Sequence, residues 1–161
     1  TLRRLLPQQA IRTASRVAAL DAAGVVLEGG ERIAARAVID CRDFAPSRHL
    51  TGGWQVFAGH HIRTRRPHGL SAPIIMDAAV AQHGAYRFVY SLPLAEDEIF
   101  VEDTYYADSP VLDRELLAGR IGAYCQARGW EGEVIGREAG VLPVVTGGDA
   151  AAHRAVFTQP G

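Results

Sequence analysis

Glu102 and Asp103 stand side by side in the run Phe100-Val101-Glu102-Asp103-Thr104-Tyr105-Tyr106, whose other members are aromatic or β-branched. Such a run is expected to be a strand, and a strand sends neighbouring side chains to opposite faces. Glu102 then shares a face with Phe100, Thr104 and Tyr106, while Asp103 lies with Val101 and Tyr105. A carboxyl group pushed into an aromatic interior loses water, which disfavours its charged form and leaves it able to donate a proton. Alternation alone leaves other readings of Glu102 open: a solvated carboxylate on an edge strand, or a partner of Arg87. For Asp103 the favoured reading is a hydrogen-bonded structural carboxylate at the strand edge, and opposite faces keep the two acids from sharing one proton.

The other candidate groups point less sharply. His60 and His61 are adjacent on an expected strand and diverge, so with His68 and His83 they do not make the converging set that zinc needs. His68, in the turn Pro67-His68-Gly69-Leu70, is read first as a turn residue bonded to backbone. Cys41 and Cys125 fit no metal or redox spacing, which suits a reducing, cytoplasmic setting. Arg63, Arg65 and Arg66 form the one basic cluster, on a loop that is either solvated or turned to anionic lipid. With a net charge of −1 and scattered cations elsewhere, no nucleic-acid footprint is present. The apolar runs are short and broken by charges, so none is expected to span a bilayer.

The 161 residues, 48% of them hydrophobic, suffice for an ordinary core. The chain opens on Thr1 and its sole methionine is Met76, so it is expected to be a piece of something longer. A helix end broken near Pro7 is expected first, then a β-meander between residues 15 and 44 whose last strand runs over 36–40 and ends in Asp40. Further strands are expected over 53–63, bent at Gly59, and over 73–80, followed by a hairpin of 86–94 and 98–106 and a last strand over 133–145. Leu116, Leu117, Ile121 and Tyr124 recur at near-helical spacing within 112–128, with Gly129 placed to end the helix. The fold class is α+β, mainly antiparallel sheet with one long helix.

The stretches GGWQVFAGHHIRTRRPHGLSAPIIMDAAV, YRFVYSLPL and FVEDTYY, in this order between Gly52 and Tyr106, resemble the bacterial flavoprotein type of lycopene β-cyclase. Weaker likeness extends to ARAVID before them and LPVVTGG after, and FVEDTYY is similar to the acidic cyclase motif of plant relatives. The resemblance implies an FAD-binding fold like those of glutathione reductase and aromatic hydroxylases. Residues 1–50 would be the end of an FAD-binding segment and 51–161 a substrate-facing sheet domain, with the C-terminal flavin-closing segment missing. No G-x-G-x-x-G occurs here. The resemblance places Asp40 and Arg42 near the cofactor, yet Cys41-Arg42-Asp43-Phe44 stands where the family usually has a Gly.

By the same resemblance the reaction is an isomerisation. A proton adds to the terminal double bond of lycopene, a neighbouring double bond attacks the cation, and a ring proton leaves. Glu102 is then the acid with Asp103 as a weaker partner, and His68, Phe88, Tyr90 and Tyr106 would meet substrate. The family implies reduced FAD, with NADPH as a reductant, and a cytoplasmic protein in peripheral contact with the inner membrane. Aromatic faces such as those of Phe88, Tyr90, Tyr105 and Tyr106 suit a cation. Rival expectations are a flavin monooxygenase of the same fold and a carotenoid-binding module without catalysis.

Overall fold

The computed structural model describes residues 5–41 and 47–158. In chain order the strands are β1 (Val17–Asp21), β2 (Gly24–Leu27), β3 (Arg32–Ala34), β4 (Leu50–Thr64), β5 (Ile74–Asp77), β6 (Arg87–Ala95), β7 (Glu98–Ala107) and β8 (Gly132–Gly148). Two helices accompany them, α1 (Arg114–Ala127) and α2 (Ala150–Thr158). Contacts divide the chain into two units, Leu50–Gly148 and the flanking segments 1–49 with 149–161. Antiparallel strands with few helices make this an α+β architecture.

In the flanking unit β1, β2 and β3 form the expected meander. Asp21 turns the chain from β1 to β2 by accepting the Ala23 amide at 2.8 Å, and its carboxylate also holds Arg32 at 2.8 Å. One expectation fails here. Residues 36–40 are not a strand, because they find no ladder partner among the described residues, and Ile39 is 88% exposed. The helix end expected before Pro7 lies largely outside the described residues; after Pro7 the chain makes a short 3₁₀ turn, Gln8–Ala10. Helix α2 was not expected. Its signal was Asp149, whose Oδ1 accepts the amides of Ala151 and Ala152 at 3.0 and 2.9 Å as an N-cap does.

The larger unit is a five-stranded antiparallel sheet in the order β5-β6-β7-β4-β8. The strand bearing the two acids is therefore central, not an edge. Helix α1 packs Leu117, Ile121, Tyr124 and Cys125 on the face that carries Ala58, Ile62, Val89, Ile99 and Val101. Leu116, counted with the apolar stripe from sequence, is 49% exposed; the buried stripe is 117-121-124-125 instead. Asp113 caps the helix by accepting the Leu116 amide at 2.9 Å, and Gly129 ends it at φ +70°. Beyond it Arg128 lies 3.6 Å over the Tyr124 ring and pairs with Asp77 at 2.6 Å.

The ladders of β4 run in continuous register through Gly59; register shifts against β8 fall at Thr51/Gly52 and His61/Ile62. Gly59 has another purpose. A Cβ there would stand 2.2 Å from Cζ of Phe100, so the missing side chain seats that ring. Gly140 likewise leaves room for the ring of Phe57.

Candidate active site on the open face of the sheet

Directly paired residues on neighbouring strands share a face. Tyr90 pairs with Glu102, Glu102 with Gly59, and Gly59 with Glu138. These four make a row across β6, β7, β4 and β8 on the face opposite α1. Around the row lie Phe57 and Phe100, seated over their glycines. Tyr86, Phe88, Tyr90 and Tyr106 form a connected ring cluster: Phe88 meets Tyr90 edge-on at 5.4 Å, and Tyr106 stacks on Tyr86 at 5.9 Å. Tyr106 also lines a groove of about 930 Å³ at the end of the sheet, shared with Trp54, Gly53 and Ala85.

Glu102 is half-buried in this setting. Burial pushes its carboxyl above the ordinary 4.5, the Thr104 hydroxyl opposes that by donating to Oε1 at 2.9 Å, and the Glu138 carboxylate adds a further upward push. Burial and the charge of Glu102 in turn raise Tyr90. The arrangement biases a carboxyl group beside aromatic faces toward its protonated form, the direction a general acid needs.

Asp103 has the opposite fate. It is wholly buried beneath α1 and held by Arg87, whose Nε and Nη2 donate to its two oxygens at 2.7 Å each. Arg87 Nη1 also donates to the Ala81 carbonyl at 2.9 Å. The partner anticipated for Glu102 thus belongs to Asp103, which is corrected from catalytic partner to structural ion pair, in a central strand rather than at an edge. Tyr105 lies on the same covered side, its hydroxyl donating to Val111 O at 3.4 Å, so only Phe88, Tyr90 and Tyr106 of the named rings face Glu102.

His68 is corrected as a substrate contact. It is buried, accepts the Leu70 amide on Nδ1 at 3.0 Å and donates from Nε2 to the Ala95 carbonyl at 2.8 Å. Both ring nitrogens are spent on backbone, while the His68 carbonyl receives the Trp130 indole at 3.0 Å. His60 and His61 diverge: His60 is buried on the helix side, where burial and Arg137 lower its pKa, and His61 meets Glu98 at 3.1 Å on the open side. No group of ligands suited to a metal occurs among the described residues. The basic cluster is partly neutralised, with Arg63 on Glu98 at 2.7 Å and Arg65 near Glu131 at 3.7 Å.

Of the cofactor contacts implied by resemblance, Asp40 is exposed on a segment outside any strand, and Arg42 lies outside the described residues. Glu138 was missed by the sequence reading. Its signal was available only through register, since it lies two strands from Glu102 with a glycine between them.

The lycopene cyclase protein family matches residues 1–159. Among curated proteins, the chain is 48% identical over 141 residues to a lycopene beta-cyclase of Paracoccus sp. (strain N81106), covering 88% of this chain and 36% of that protein. It is 46% identical over 135 residues to the lycopene beta-cyclase of Pantoea ananas (83% and 35%) and 44% identical over 126 residues to that of Pseudescherichia vulneris (78% and 33%). The chain thus spans about a third of the length of these relatives. No solved structure matches it. A family match along nearly its whole length, with relatives 44–48% identical, shows that the chain belongs to the lycopene cyclase protein family.

Proposed function

We propose that this chain is the substrate-facing part of a lycopene β-cyclase and that Glu102 is its proton donor. The observation that carries the reading is the half-buried Glu102 carboxyl, raised by burial, on an open sheet face paved with aromatic rings. Because Oε1 takes the Thr104 hydroxyl, the transferable hydrogen sits on Oε2. That hydrogen adds to the terminal double bond of the polyene and leaves a tertiary cation. The neighbouring double bond closes the ring, the cation moves into the ring, and loss of a ring proton restores the double bond. One proton enters and one leaves, so substrate and product are isomers.

Phe88, Tyr90 and Tyr106 serve as the apolar wall, their ring faces turned to positive charge. The groove beside Tyr106 and Trp54 offers room for the remainder of the chain. Reduced FAD, with NADPH as its reductant, is proposed on family likeness; when bound it supplies an electron-rich surface near the cation. Asp40 is exposed, and no step here depends on the flavin. A carotene dissolved in lipid calls for peripheral contact with the inner membrane from the cytoplasmic side. No helix of the described residues is long and apolar enough to cross a membrane.

The test is Glu102→Gln in the full-length protein, assayed on lycopene with the product identified by chromatography and mass. The expected result is loss of cyclisation by at least ~10²-fold with the fold and flavin content retained. An undiminished yield of cyclic carotene of unchanged mass overturns the assignment of the acid. A product heavier by oxygen overturns the reaction class.

A further inference from the structure

Glu138 stands at the far end of the row that contains the acid. Gly59 alone separates it from Glu102 on this face, since both residues pair with that glycine. Adjacent strands lie about 4.8 Å apart, which puts the two backbone positions roughly 10 Å from each other. A glycine between them leaves no side chain in the direct line except the Phe100 ring seated over it. Other acids of this sheet have cationic partners: Asp103 has Arg87, Glu98 has Arg63 and His61, Asp77 has Arg128, and Glu133 lies across from Arg63. Among the described residues, no hydrogen bond or ion pair engages Glu138. Its neighbour Arg137 points to the other face, where it acts on His60.

Like charges facing each other across a sheet are unfavourable. An uncompensated carboxylate turned toward a half-buried acid is the arrangement expected where function, not stability, sets the residue. We propose that Glu138 is a positioning residue of the active site, set across Gly59 from Glu102 so that its side chain acts on the Glu102 carboxyl and faces the cation as it forms. This inference rests on the assignment of Glu102 as the acid. No covalent step is added: Glu138 neither gives nor takes a proton in this scheme, and the proton path is unchanged.

The groups that face Glu102 define what else sets its protonation. On β6 it is Tyr90; on β7, Thr104, a donor to Oε1; on β8, Glu138. β4 contributes Gly59 directly and, one step along the same face, His61, which is engaged by Glu98 with Arg63. Glu138 is the uncompensated charge of this set, and it agrees in sign with the upward push on Glu102.

The experiment is a pH profile of lycopene cyclisation by the full-length protein and by Glu138→Gln, Glu138→Asp and Glu138→Lys. Activity needs protonated Glu102, so it declines as pH rises through that group's pKa. Removing the charge of Glu138 lowers that pKa and moves the basic limb to lower pH, by about half to one unit for a partly exposed pair at this range. Lysine should move it further and aspartate should restore it. Because Glu138 is exposed, these variants are expected to fold, which circular dichroism checks. Superimposable profiles for the glutamate, glutamine and lysine forms overturn the role of Glu138. If Glu102→Gln itself still cyclises, the assignment of the acid falls instead, and the two failures are distinguished by which variant reveals them.

Discussion

Glu102 and Asp103 are neighbours in sequence, chemically alike, and separated by one peptide bond, yet the two faces of the sheet treat them in opposite ways. The helix-covered face buries Asp103 completely and answers it with a two-pronged Arg87. The open face leaves Glu102 half-covered, gives it one hydroxyl and sets another carboxylate nearby. A buried charge survives only when it is paired and hydrogen-bonded. The first face meets that demand. The second does not, and its acid is pushed toward the neutral, proton-bearing form. The difference between the paired carboxylate and the proposed proton donor lies in what the opposite strands present, not in the strand that carries them.

The sharpest way to break this comparison is to remove the partner on the covered side. Arg87→Met leaves Asp103 buried without its cation, and the loss expected is about 3–5 kcal/mol in denaturant unfolding. Asp103→Asn, which strands Arg87 instead, should fall in the same range, whereas Arg87→Met with Asp103→Leu should recover much of it. Glu102→Gln, by contrast, should leave unfolding at neutral pH nearly unchanged while abolishing cyclisation. Equal destabilisation by Glu102→Gln and Asp103→Asn would remove the distinction between the faces.

Much of this was legible in the residues. Period-two alternation placed Glu102 with Phe100, Thr104 and Tyr106, and the pairing of β7 with β4 and β6 keeps it there. The hairpin, the long helix and the meander were readable because turn residues and apolar spacing are local signals. What was not readable is non-local. Nothing near Arg87 tells which of two adjacent acids it will meet, and nothing near Glu138 marks it as facing Glu102. Gly59 illustrates the same limit: a glycine within a strand suggests a bend, but here the ring of Phe100 from the next strand occupies its place. Residues 36–40 had the composition of a strand without a described partner to complete one.

Gly59 sharpens the comparison from the backbone side. Gly59→Ala introduces a carbon 2.2 Å from Cζ of Phe100, so the ring must leave its seat. The expected loss is near the lower end of the ~1–3 kcal/mol typical of overpacking, since the clash falls on the far end of a side chain. Phe100→Leu should relieve the clash and restore unfolding stability in the double variant. Cyclisation should drop in the single variant, because the displaced ring no longer holds its place on the face between Glu102 and Glu138. A Gly59→Ala protein of full stability and activity would mean that the seat is not needed.

The smallest effect expected is the dependence of folding on the protonation of Glu102, and its sign follows from the direction of the shift. The folded state holds the Glu102 proton more tightly than the unfolded chain does. Its contribution to stability is therefore complete below the ordinary glutamate range and disappears as pH climbs through the raised value. Urea midpoints compared at matched pH should show the parent protein declining relative to Glu102→Gln across that window, by a small fraction of the Arg87 effect because the group is half-exposed. Glu138→Gln should flatten the decline, as it removes one source of the upward shift while leaving burial in place. If the parent gained stability over the same rise in pH, Glu102 would have to be a carboxylate stabilised by its surroundings. The open face would then treat its acid as the covered face treats Asp103.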